Sequence, residues 1–142
     1  MDGRGLQSSL FSVEGGFMRI REAIETIDRL MPNQYGEDDK VHWLGELDGI
    51  ADREVFRAHE REEDMGEFTG YPPGVDLDTI LMIPFPYEDI YRWYLEMKIC
   101  DANGELTKYN NAAAKYNSYW QGFWNAYNQE HTPVQAATYF KL

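Results

Sequence analysis

The sequence holds one cysteine, Cys100, and no long apolar run. A single thiol excludes an intramolecular disulfide and any CxxC metal motif. Cys100 falls inside a helical pattern, where a buried small hydrophobe is the plain reading. No stretch approaches the length of a membrane span, and the N-terminus lacks the basic, apolar, small-residue order of a secretory signal. The chain is therefore expected to begin in the cytoplasm. Basic residues are scarce, 13 Lys and Arg against 25 Asp and Glu, for a formal net charge of -12. That balance argues against sequence-independent binding to nucleic acid or to anionic membranes. GxSxG, Walker A, GxGxxG and EF-hand patterns are all missing, so no catalytic constellation and no cofactor is expected.

Aromatic residues, in contrast, are abundant. They make up 15% of the 142 residues, with ten Tyr and four Trp, more than a minimal core requires. Tyr and Trp join large contact area to a polar tip, so the surplus has the composition of an interface. Its clearest expression is Leu106, Tyr109, Ala113, Tyr116, Trp120, Phe123 and Tyr127, spaced alternately by three and four, which draws one stripe along a long helix. The opposite face carries Asn110, Asn111, Asn117, Ser118, Asn125 and Asn128, where a solvated helix usually has Lys and Glu. A helix of this kind is built to be covered on more than one side, which points to an assembly component.

Residues 1–17 show no periodicity, as a tag, a misread start or a flexible, disordered leader would, and are excluded from the fold. Glu14-Gly15-Gly16-Phe17-Met18 is encodable by a purine-rich GAAGGAGG tract, a few thymines and an ATG, the form of a bacterial ribosome-binding site. On this reading Met18 is the initiator and residues 1–17 are translated leader. Ile20, Ile24, Ile27 and Met31 then place a first helix over Met18–Met31, ended by Pro32-Asn33. Glu37, Asp38 and Asp39 open a second, their charge suiting the positive end of its dipole. Val41, Leu44, Leu47, Ala51 and Val55 carry it to about Ala58. Gly45 and Gly49 interrupt it on neighbouring turns, which a close helix crossing or a kink would explain.

Residues 59–75 combine charge, glycine and Pro72-Pro73 and read as a long loop, a class often ordered by a partner. Leu77, Ile80, Leu81, Met82 and Ile83 form an apolar run stopped by Pro84 and Pro86, which predicts a short strand near 79–83. Pro86 suits the first turn of a third helix, Tyr87 to about Ala102, stopped by Asn103-Gly104. A fourth helix, about Glu105 to Glu130, follows so closely that the two should form an antiparallel hairpin. Thr132-Pro133 opens an extended tail over 132–142. The fold class expected is mainly α: a four-helix bundle-like single domain, 18–131, with a C-terminal helix hairpin, a long loop and one short strand.

Few side chains invite a chemical role. His59-Glu60-Arg61-Glu62-Glu63 is like the zinc-protease HExxH pattern except that Glu63 stands where the second histidine belongs. The competing reading is a solvated charge run, and no metal site is assigned. His42 and His131 lie at helix edges without a Cys or Asp at ligand spacing and suit surface or interface roles. Asp76 and Asp78 fit a carboxylate pair on one strand face, or charge that keeps the start of a strand soluble.

The pattern MRIREAIETIDRLMPNQYGEDDKVHWLGELDG, followed by ILMIPFPYEDIYRWYLEMKICDANGELTKYNNAAAKYNSYWQGFWNAYNQEH, resembles small proteins encoded among the head and tail genes of Firmicutes prophages, the head-to-tail connector or adaptor proteins. The resemblance covers most of Met18–His131, and its most specific pieces are PYEDIY and YNNAAAKYNSYW. It implies a mainly helical, non-enzymatic structural protein that forms a ring, docks beneath the portal, joins tail proteins and extends the DNA channel. The loop at 59–75 and the proline-bracketed strand depart from that pattern, leaving neck, stopper and tail-joining positions open.

On that reading, Trp120, Trp124, Tyr127, Tyr139 and Phe140 are interface candidates. Trp124, Tyr139 and Phe140 are the sharper ones, because Trp120 and Tyr127 also belong to the main stripe. An acidic ring would let DNA slide through without specific binding. Two other classes share some of these features: a phage-encoded cytoplasmic interaction or assembly protein, and a small metal-dependent hydrolase using His59 and Glu63.

Overall fold

The computed structural model describes residues 16–57 and 66–130. Within them the apolar period of the first segment closes into helix α1, Ile20–Leu30, with Ile20, Ala23 and Ile27 buried. Glu22 caps its start by accepting a hydrogen bond from the Arg19 N–H at 2.9 Å. Pro32 follows its end, as the helix-disfavouring geometry before proline requires. The turn to the next helix is locked from both sides. Lys40 is buried, with its Nζ 2.8 Å from Asp28 and 2.6 Å from the Tyr35 carbonyl. Gln34 and Tyr35 both donate to the Asn103 side chain, at 3.0 and 2.7 Å.

Helix α2 spans Glu37–Ala51 with its three acidic residues in the first turn. It does not run on as α-helix to about Ala58; Asp52–Phe56 widen into a π-helical turn closed by Arg57 N–H donating to Asp52 O. Asp52 is buried there, 3.1 Å from Arg57 Nε. Helix α3, Ile90–Asn103, ends on Gly104, whose φ of 73° is the left-handed geometry that glycine supplies at low cost. Helix α4, Leu106–Glu130, returns antiparallel along α3. The described chain is thus mainly helical, with four α-helices and no sheet. Helix α3 is the hub: α1, α2 and α4 each pack on it. Its Ile90, Tyr91, Leu95 and Ile99 are fully buried at the centre of the core.

The strand expected near 79–83 reduces to one bridge between Ile80 and Arg19. Around it, Leu81 N–H donates to Met18 O at 2.8 Å and Ile20 N–H to Thr79 O at 3.0 Å. The ladder cannot lengthen, because the opposing chain enters α1 at Ile20. Phe85 N–H also donates to Gly16 O, so backbone pairing starts inside the stretch that sequence reading left out of the fold. Residues 1–15 lie outside the described residues. Pro86 is likewise not in a helical turn: it follows a cis peptide bond from Phe85, and α3 begins only at Ile90.

The two glycines of α2 differ in their surroundings. A Cβ at Gly45 would stand 2.9 Å from Tyr71 N and 3.3 Å from Gly70 Cα, so this glycine admits the 66–71 backbone against the helix. No helix crosses there. A Cβ at Gly49 would meet nothing within 4 Å. Gly49→Ala is therefore expected to raise the unfolding free energy by up to about 1 kcal/mol through helix propensity, and Gly45→Ala to lower it, in paired urea titrations.

Candidate functional site

The surface that departs most from an ordinary solvated exterior is α4. It is 25 residues long, yet only Ala112 and Phe123 are buried. The C-terminal part of the stripe read in sequence packs inward: Phe123 is in the core and Tyr116, Trp120 and Tyr127 pack against it, joined by Ala112 and Tyr119, while Leu106 is 71% exposed and Tyr109 and Ala113 are half-buried. The aromatic members of the stripe are thus half-buried or buried, and its exposed end is Leu106. Beside the stripe Asn110, Asn111, Asn117, Ser118 and Asn125 are all exposed.

An aromatic cluster anchors this helix. Phe123 is 2% exposed and meets Phe56 at 5.9 Å, Tyr87 at 6.1 Å and Trp120 at 6.1 Å between ring centroids. Tyr127 packs edge-on against Phe56 at 5.1 Å. Nearer the hairpin turn, Tyr116 meets Tyr94 at 5.4 Å, and burial pushes the Tyr116 hydroxyl up to about 12. Lys115 of α4 and Arg92 of α3 both approach the Trp93 ring, at 5.8 and 3.9 Å from its centroid. These contacts set the rotation of α4 and hence which residues it leaves uncovered.

Behind the surface lies a buried polar knot that sequence reading missed. Asp48 of α2 is fully buried and accepts hydrogen bonds from Tyr71, from Tyr91 at 2.5 Å and from the Met82 N–H at 3.2 Å. The Tyr91 hydroxyl in turn accepts from Ile83 N–H at 2.7 Å. One carboxylate thus ties α2, α3, the 66–71 segment and the 77–85 segment together. Burial pushes its pKa from 3.8 up to about 6, against the opposing pull of the three donors. Burial and the neighbouring carboxylate also raise both tyrosines, which stay protonated donors. The signal was present in the sequence, since Asp48 sits one turn from Leu44 on the apolar face of α2.

A cleft of about 600 Å³ opens in front of this knot, lined by α2 residues including His42, Glu46 and Gly49, by Phe68–Tyr71 and by Tyr94 and Lys98. Glu46 is held by Lys98 at 3.2 Å, His42 at 3.3 Å and the Tyr94 hydroxyl at 3.1 Å. Arg53, Glu54 and Glu67 also line the cleft, which makes it an open, mixed-charge surface.

Trp120 and Tyr127 pack against the core cluster from its edge. Trp124 is half-buried and stands outside that cluster as formed by the described residues. Tyr139, Phe140, His131, His59 and Glu63 lie outside the described residues. Asp76 and Asp78 do not form a free carboxylate pair: Asp76 accepts the Asp78 N–H at 2.9 Å, and Asp78 binds Arg21 at 3.1 Å. Cys100 is buried, its thiol pushed up by burial and by Glu96 and Glu105. Among the described residues no three His, Cys, Asp or Glu side chains group to hold a metal ion, and no helix is long and apolar enough to cross a membrane. Comparison with family models, with curated proteins and with solved structures gave no match.

Proposed function

We propose that this chain is a structural subunit of the head–tail junction of a bacteriophage or prophage, forming a ring that connects portal to tail and lines the DNA channel. The observation that carries the reading is α4, whose outer face is exposed along its length and carries neutral amides, with only Lys108 and Lys115 beside them and half-buried aromatics at its border. Interfaces are marked by enriched aromatics and depleted Lys, Glu and Asp, which is the composition found there. The resemblance to connector proteins supports the same reading, because YNNAAAKYNSYW supplies the middle of α4 and PYEDIY leads into α3. The formal net charge of -12 suits a wall along which DNA slides. The protein would assemble in the host cytoplasm and leave in the virion, with portal and tail-joining proteins as its neighbours.

Mass spectrometry of purified particles after induction of the parent prophage tests this. Peptides at copy numbers on the scale of the portal are expected. Absence from particles would instead favour a cytoplasmic interaction or assembly protein. Trp124 supplies a sharper test. Trp124→Ala is expected to leave the monomer folded while reducing its incorporation into particles. Wild-type incorporation would remove Trp124 from the interface.

A further inference from the structure

The exposed arc of α4 contains Asn110, Asn111, Asn117, Ser118, Gln121 and Asn125, with exposed Lys108 and Lys115 one turn from Asn111 along its edge. Asn and Ser are weaker helix formers than the Lys and Glu that normally occupy such positions. This face is therefore tuned neither for helix stability nor for solubility. Of the chain's 25 carboxylates and 13 Lys and Arg, α4 carries only Glu130, Lys108 and Lys115. It is weakly positive, and the acidic excess lies elsewhere.

That asymmetry ranks the ways in which two copies can meet. Two acidic surfaces repel. Two α4 faces, each weakly positive, gain nothing from charge. An α4 face against an acidic surface gains Coulomb attraction, and Asn and Gln amides donate hydrogen bonds to carboxylates. The fold also presents both partners at once. Helices α1 and α4 each pack on α3 and have no comparable packing on each other, so a subunit can offer its α4 in one direction and exposed Glu22 and Glu25 of α1 in another.

We infer that the outer face of α4 docks a second copy of this chain head to tail, against an acidic surface outside the neighbour's own α4. This rests on the ring reading above and names the pairing it requires, since head-to-tail contacts close into rings while two-fold contacts stop at dimers. Helix α4, about 37 Å long at 1.5 Å per residue, gives the contact its length.

The test places a benzophenone maleimide on Ser118→Cys in the full chain, where Cys100 is buried and protected. The protein is irradiated at high concentration, and the crosslinked peptides are mapped. Dimers joining residue 118 to segments outside 106–130 are expected. Adding Gln121→Glu should cut their yield by about threefold and Gln121→Lys should raise it by a similar factor, as for a single exposed charge contact. No dimers, α4-to-α4 crosslinks, or equal effects of the two charges would each overturn the inference. Presence in particles is measured separately, so a virion protein that gave α4-to-α4 crosslinks would lose this pairing and keep the proposed function.

Discussion

Asp48→Ala is expected to lower the unfolding free energy by about 3–5 kcal/mol at pH 5, the cost of stripping a buried polar group from donors that depend on it. The Tyr91 hydroxyl and the Met82 N–H would lose their acceptor, while Tyr71 at the cleft is able to turn to water. The deficit should depend on pH in a definite direction. The folded-state pKa of Asp48, about 6, lies above its ordinary value of 3.8, so the native state holds this proton more tightly than the unfolded chain. The resulting stabilisation is fully present below pH 3.8 and is lost as pH rises through about 6. Two pKa units correspond to about 3 kcal/mol. Wild type should therefore weaken between pH 4 and pH 7 from this source and the alanine variant should not, so the gap between them narrows. Urea titrations of both proteins at pH 5 and pH 7.5 decide the matter. A gap that stays constant would mean that another group titrates.

Phe123→Ala is expected to cost a similar amount, about 3–5 kcal/mol for a buried aromatic, with a different structural signature. Phe123 is where Phe56, Tyr87 and Trp120 converge, and it is one of only two buried residues in α4. Its loss removes the chief fastening of the C-terminal half of that helix. Amide hydrogen exchange should accelerate across 116–130 while the amides of α3 around Tyr91 and Leu95 stay protected. Uniform acceleration through the whole core would show that α4 is not a separable layer.

Local chemistry made the helices legible. Pro32, the acidic start at Glu37 and the Asn103-Gly104 stop act through their own backbone and their nearest neighbours, and α1, the beginning of α2 and the α3–α4 turn formed where those residues stand. Longer-range partners decided the places where the reading went astray. Leu77–Ile83 has the composition of a strand, but a strand needs a straight partner, and residues 16–19 supply only a few extended residues before α1 begins. The far end of α2 kept its apolar spacing through Val55, yet burial of Asp52 and its pairing with Arg57 accompany a widened turn instead of a further α turn.

The candidate surface divides along the same line. Composition and spacing alone established that one helix would carry an aromatic stripe on one side and neutral amides on the other, because a 3.6-residue period is a property of consecutive residues. They also established the acidic balance and the lone thiol. Which part of the stripe is buried was decided by the tertiary partners: Phe56, Tyr87 and Tyr94 meet its C-terminal part, while Leu106 at its start stays exposed. The Asp48 knot needed tertiary structure for the same reason. A carboxylate on an apolar helix face is tolerable only when donors reach it, and here they come from Tyr71, Met82 and Tyr91, remote in sequence and joined only by the fold.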